Sequence, residues 1–178
     1  MMIHIAETAR EVEDNMNQYG KTVVPWVKDQ GVLDVPIIAA HCVHIDEHEM
    51  RMLKKHGASV AHCPSANLKL ASGIAPIQQM LEIGINVAIG TDGPASNNDL
   101  DMFEEMRLAA LVAKVAPHNP MALPAKQALK MATINGARAL GLGKVTGSLE
   151  VGKFADVIVV DAHPLHNMPR FDVNPNTG

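Results

Sequence analysis

An α/β domain assembled from repeated βα units is the fold the sequence predicts, and three observations predict it. Short apolar runs alternate with longer stretches of helical periodicity. One of those runs, residues 35–43, is almost continuously apolar, as a strand covered on both faces of a parallel sheet must be. Glycines at positions 20, 31, 57 and 84 follow successive helical stretches, where left-handed C-caps are expected.

Residues 2–6 form the first strand candidate, followed by a helix over 8–19 that closes at Gly20. A second helix is expected over 22–30, ending at Gly31. After the strand in 35–43, Asp46 and Glu49 stand at the N-cap and N3 positions of a capping box, which leads a helix to Lys55 that Gly57 stops. Residues 58–62 are the next strand, and 63–73, rich in small and polar residues, read as a loop. A helix over 74–83 and a strand over 85–89 come next, and the strand runs into the turn formers Gly90 to Asn98. On a long helix beginning near Leu100, the spacing of Leu100, Phe103, Leu108, Leu111 and Val115 predicts a buried apolar face, with Glu104, Glu105, Arg107 and Lys114 elsewhere. Pro117 and Pro120 break this pattern before a last helix over 124–140, with Pro124 in its first turn. Beyond Gly141 the texture changes to a turn-rich segment over 147–153 and a new strand over 155–160, assigned to a different sheet. Residues 164–178 carry three prolines and little periodicity.

Composition narrows the function classes. The 178 residues hold 15 Lys and Arg against 19 Asp and Glu, a formal net charge of −4, which gives no electrostatic footprint for nucleic acid. An apolar share of 47% is ordinary for a packed domain, and no apolar run reaches the length of a bilayer crossing, so no membrane partner is expected. With only five aromatic residues, the core must be built from Ala, Val, Ile, Leu and the eleven Met. Cys42 and Cys63 each sit in an apolar run beside a histidine and read as buried reduced thiols, which points to the cytoplasm. The first seven residues lack a basic n-region and meet Glu7 before an apolar signal core could form, so no secretion signal is expected.

Four polar residues stand where a predicted strand gives way to its loop: His4, His41, His62 and Asp92. In a parallel architecture such strand ends share one face, so these residues can converge. Imidazole and carboxylate are ligand types that Zn or Fe accepts, which makes a metal hydrolase the sharp reading. Plainer roles compete with it. A lone histidine in an apolar strand is commonly a hydrogen-bonded core residue, Asp92 between glycines suits an Asx-turn, and His62 could simply line the pocket. Glu7, three residues after His4, could shuttle protons at the same mouth or merely favour a helix N-terminus. His44 and His48 do not make a His-Glu-x-x-His helix, and the His-x-Glu with Pro-Cys-x-x-Cys of cytidine-type deaminases is missing. A nucleophile elbow, a P-loop and a dinucleotide fingerprint are missing too.

The segments His4-Ile5-Ala6-Glu7-Thr8, Ala40-His41-Cys42-Val43-His44, His62 to Gly73 and Gly90 to Asn98 closely resemble the amidohydrolase superfamily, in its 5-methylthioadenosine/S-adenosylhomocysteine deaminase branch with its chlorohydrolase relatives. The resemblance runs from His4 to about Asp161. It implies an α/β fold that is the C-terminal half of a metal-dependent (β/α)8 TIM barrel, strands five to eight with their helices. Residues 1–143 would be this half barrel and 144–178 the truncated beginning of a small β-sandwich domain. It implies one divalent metal ion, zinc ahead of iron, with His4 and Asp92 as ligands. Glu7 would contact the purine and move a proton to its nitrogen, His41 would orient the metal-bound water, and Asp92 would carry the proton toward departing ammonia. His62, Ser65 and Asn67 would support these groups from behind. The substrate implied is a small purine nucleoside, with guanine or a chlorinated s-triazine as the alternative.

The family's His-x-His pair is absent from the 178 residues, so the chain is expected to be truncated at both ends. A half barrel leaves two unpaired strand edges, which predicts self-association, in one form two copies closing an eight-stranded barrel. A catalytically incompetent fragment or assembly module is the reading from another class.

Overall fold

The computed structural model describes residues 1–161. Expectations for 162–178, including the whole proline-bearing tail, lie outside the described residues. Four strands, β1 (Met2–Ile5), β2 (Ile38–His41), β3 (Ser59–His62) and β4 (Asn86–Ile89), form one sheet in the order β1-β2-β3-β4, every neighbouring pair parallel. Helices α1 (Ala9–Tyr19) and α2 (Val23–Asp29) precede β2, and α3 (Glu47–Lys55) precedes β3. Helices α4 (Pro64–Lys69) and α5 (Ile77–Ile83) precede β4, and α6 (Pro94–Asn97), α7 (Met102–Val112), α8 (Ala125–Ala132) and α9 (Ile134–Ala139) follow it. Consecutive parallel strands with intervening helices are the arrangement of half a (β/α)8 barrel.

Strand side chains Ile5, Ala39, Val60, Val87 and Ile89 join Val24, Val27, Met50, Leu53, Ile77 and Met80 from the helices in one buried cluster. All four residues of β2 are buried, as its unbroken apolar run requires. Local sequence sets the helix ends. Thr8 accepts the amide of Glu11, Gly20 closes α1 at a φ of 69°, and Asp46 and Glu49 exchange both bonds of the capping box. No helix among the described residues is long and apolar enough to cross a membrane.

Four expectations are corrected. The loop expected at 63–73 contains α4, because Pro64 suits a first helical turn and the Ala, Asn, Leu and Lys behind it sustain one more. The helix expected over 124–140 is two, divided at Thr133, whose φ of −122° and ψ of −99° are not helical. That break aims α9 so that Asn135 donates to the carbonyl of Val87 on β4 at 2.9 Å. On α7 the inward residues are Glu105, Ala109 and the following Ala113, while Phe103, Leu111 and Val115 are exposed. Small side chains let α7 approach its neighbours closely, so the aliphatic stripe is displaced outward. Residues 155–160 form no strand, since among the described residues no partner ladder meets them.

The capping box gives α3 a testable dependence. Asp46→Ala removes the acceptor for the Glu49 amide and is expected to cost about 1 kcal/mol, read as a lowered urea midpoint with unchanged slope.

Candidate active site

All four strands run the same way, so their C-terminal ends open on one side. His4 lies in β1 and Glu7 just past it, His41 and His62 are the last residues of β2 and β3, and Asp92 follows β4. Here the backbone departs from regular strand. Ala6, His41, Cys42 and Asp92 have φ of 50°, 68°, 48° and 61°, left-handed values that non-glycine residues adopt at some cost. Hydrogen bonds hold them there. The carbonyl of Ala6 accepts the amides of Val43 and His44 at 3.1 and 3.0 Å, and that of Ile5 accepts Cys42 at 3.0 Å. The Glu11 carboxylate accepts the amides of Ala6 and Glu7 at 3.0 and 2.7 Å, fixing the turn that presents Glu7.

Glu11 was missed as a site-building residue, although Thr8 followed three residues later by Glu11 is a capping-box spacing visible in the sequence. Its carboxylate reaches beyond the cap, to the two residues before Thr8.

Ligand-type atoms of His4, Glu7 and His41 lie within 4.8 Å of one another. Glu7 Oε2 is 4.0 Å from His4 Nδ1 and 3.7 Å from His41 Nε2, and Glu7 Oε1 accepts the Ser72 hydroxyl at 3.3 Å. The His4 and His41 rings meet edge to face at a centroid distance of 4.8 Å. His41 is fully buried, and its Nδ1 lies 2.8 Å from the Oδ1 of Asn67 on α4. That carbonyl oxygen can only accept, so Nδ1 carries a proton, and in the neutral ring Nε2 presents a bare lone pair. Nε2 is buried without a hydrogen-bond partner. Two imidazole nitrogens, one of them the orphaned buried Nε2 of His41, and a carboxylate oxygen are donor types that suit a divalent ion.

Asp92 stands outside that trio, and only the protonated forms of His41 and His4 would act on its carboxyl by charge. Burial alone would raise its carboxyl, yet the Ser96 hydroxyl, donating at 2.6 Å, the Gly93 amide and the two histidines hold it below the ordinary carboxylate range. The sequence placed His4 and Asp92 together and gave Glu7 the weaker claim, whereas here Glu7 is the carboxylate nearest both imidazoles. His62 is 1% exposed, and neither ring nitrogen has a partner. Burial, with the charge of His41 second, pushes its pKa down to about 3, so it stands neutral behind His41. Ser65 takes part through its backbone amide, which donates to Glu105 Oε2 at 3.2 Å.

The amidohydrolase family model matches residues 1–177. Over 174 residues the chain is 56% identical to a 5-methylthioadenosine/S-adenosylhomocysteine deaminase of Moorella thermoacetica, covering 98% of this chain and 41% of the relative. The solved structure of an adenosine deaminase from Xanthomonas campestris with bound zinc superposes with a TM-score of 0.92 at 45% identity, over 97% of this chain and 39% of that one. An atrazine chlorohydrolase from Arthrobacter aurescens complexed with zinc superposes with a TM-score of 0.85 at 29% identity, over 96% and 38%. The chain thus spans about two fifths of the length of the relatives it matches.

The neutral burial of His62 carries a pH signature. An unfolded histidine takes its proton below about 6.5, while His62 resists it down to about 3, so its contribution is intact above 6.5 and lost as pH falls through that window. Between pH 6.5 and 5 the loss is expected to reach about 2 kcal/mol. Urea midpoints at pH 7 and pH 5 should therefore differ more for the native chain than for His62→Leu; equal differences would show that His62 titrates freely.

Proposed function

The chain belongs to the amidohydrolase family, and from that premise we propose that it is the part of a metal-dependent deaminase of adenine nucleosides that carries strands five to eight of the barrel. Substrates of the 5-methylthioadenosine and S-adenosylhomocysteine type are supported by the name of the Moorella relative. The observation that carries this reading is the His4, Glu7 and His41 cluster at the open strand ends, with Asp92 in the field of both histidines.

Hydrolytic deamination of an aminopurine adds water to the amino-bearing ring carbon, protonates the neighbouring ring nitrogen and releases ammonia. A divalent ion, zinc in preference to iron, would be held by His4 and Asp92 and would supply Lewis-acid activation of water near neutral pH. Glu7 contacts the purine, delivers a proton to the ring nitrogen and recovers one from the added hydroxyl as ammonia leaves and the ring carbonyl forms; its Oε1 bond to Ser72 fixes the carboxyl group's direction. His41 uses its bare Nε2 to orient the attacking water, with the ring held by Asn67. Asp92, steadied by Ser96, takes the water proton and carries it to the leaving amine.

Residues 1–143 are assigned to the half barrel, which is supported by the end of the described helices at α9; the small β domain expected over 144–178 lies largely outside the described residues, and its described part, 144–161, holds no strand. Among the described residues β1 and β4 have one neighbouring strand each, and self-association of this chain through those edges is the partner reading. The separate, buried thiols of Cys42 and Cys63 support a cytoplasmic setting. A chlorinated s-triazine is the second substrate reading, supported by the likeness to the chlorohydrolase structure. A non-catalytic assembly module is the rival from another class, supported by the span of two fifths and the missing His-x-His.

Metal analysis and ammonia release separate these readings. The deaminase reading expects about one zinc or iron per purified chain and ammonia from methylthioadenosine or S-adenosylhomocysteine; metal-free, inert protein supports the module. Asp92→Ala is expected to abolish metal retention, whereas His41→Ala keeps the metal and lowers turnover by about 10²- to 10⁴-fold. Equal metal loss in both variants would make His41 a ligand, and the roles would have to be redrawn.

A further inference from the structure

We propose that Glu105 is a positioning residue that fastens the loop after β3 to the loop after β4, and thereby sets His41 and Asp92 relative to each other. The inference rests on the deaminase reading for its catalytic consequence and on geometry alone for its structural part. Glu105 lies on α7, outside the cluster at the strand ends, and is 1% exposed. Both carboxylate oxygens accept from neutral donors. Oε2 accepts the backbone amide of Ser65 at 3.2 Å, and Oε1 accepts the side-chain amide of Asn97 at 2.7 Å.

Each donor is one step from a site residue. Ser65 is the second residue of α4, where an amide has no intrahelical acceptor, and Cys63 offers no side-chain cap. The Glu105 carboxylate supplies that missing cap from 40 residues away. Two residues later on the same short helix, Asn67 holds the His41 ring. Asn97 closes α6, accepts the Leu100 amide at 2.8 Å, and directly follows Ser96, whose hydroxyl is bound to Asp92. The segment it steadies is strained, with φ of 102° at Asn98 and 59° at Leu100. One carboxylate therefore serves both branches. Lys69, from the far end of α4, adds a solvent-side tie to the Ala95 carbonyl and Asn98 Oδ1 at 2.7 Å each.

Glu105→Gln keeps the size but has one acceptor oxygen for two donors. Its test is amide hydrogen exchange read by NMR on the full chain, together with deamination kinetics. The expected result is exchange at least about 10-fold faster at the Ser65 amide or the Asn97 side chain, with shifted His41 and Asn67 resonances. With it, kcat should fall about 10- to 100-fold at nearly constant KM, because small misplacement of reacting groups costs rate more than binding. Glu104→Gln, the exposed neighbour, is the control and should leave all of these readouts unchanged. Unchanged exchange and resonances in Glu105→Gln overturn the proposal, as does faster exchange with unchanged kcat. Should the variant fail to fold, the native chain decides: a Ser65 amide that exchanges as freely as an uncapped helix start overturns the tie. If the native chain releases no ammonia from any adenine nucleoside, the deaminase reading fails, while exchange and resonances still judge Glu105.

Discussion

The junction of β1 and β2 governs everything at the open end of this sheet. A parallel sheet brings strand ends to one side, but it leaves open where the side chains beyond those ends point. That direction is set by the left-handed turn at His41 and Cys42, which swings the His41 ring toward His4 and Glu7. Such a turn persists only where neighbours over-determine it. The carbonyls of Ile5 and Ala6 do this with three amides from the segment after β2, while Glu11 anchors the amide of Ala6 from the other side. Loss of this knot would leave the sheet intact and scatter the imidazoles.

Carboxylates placed as scaffolding recur around the site. Glu11 caps the turn before α1, Glu49 is 3% exposed and closes the cap of α3, and Glu105 ties α4 to α6. Burying an ionised carboxylate is costly unless its lone pairs are met, and charge-assisted bonds from amides are among the stronger ways of meeting them. Glu11 and Glu105 each accept two donors, while Glu49 accepts the Asp46 amide through Oε2 alone, so in the first two one group answers two deficits. The result is a rigid rim carrying Glu7 and Asp92, the carboxylates assigned to chemistry.

Legibility from sequence divides along physical lines. Local signals were readable: the Asp46 and Glu49 box, Gly20 as a left-handed cap, and polar residues just beyond apolar strands, because each depends on neighbours within a few positions. Long-range choices were not. Thr133, Asn135 and Gly136 are poor helix formers that weaken the helix locally, but the bond that goes with the break, Asn135 to the carbonyl of Val87, spans 48 residues. The apolar spacing on α7 was correctly seen yet wrongly oriented, since close approach selected Ala109 and Ala113 over the larger Leu111. Glu105 was read as a surface charge for the same reason: the donors that make its burial tolerable come from two other loops. Of the site, the strand-end residues were visible, while the closeness of Glu7 to both imidazoles followed only from the turn that Glu11 fixes.

The donor set at the open end is selective by construction. Two cysteines lie beside it, and a soft thiolate would compete with imidazole for a zinc-type ion. Both thiols are buried, Cys42 lying 3.9 Å from the Ala39 carbonyl and Cys63 3.7 Å from that of Ala61. Burial, then the charges of Asp92 and Glu105, push the Cys63 thiol up to about 12; burial, then Glu49, pushes Cys42 higher still. In the metal-free site, thiols so held stay protonated. The carboxylates that would welcome a cation are among the groups that discourage a thiolate, and His62, kept neutral behind His41, adds no opposing positive charge. Nitrogen and oxygen donors alone remain, the set suited to a Lewis-acidic ion that activates water rather than to a closed thiolate site.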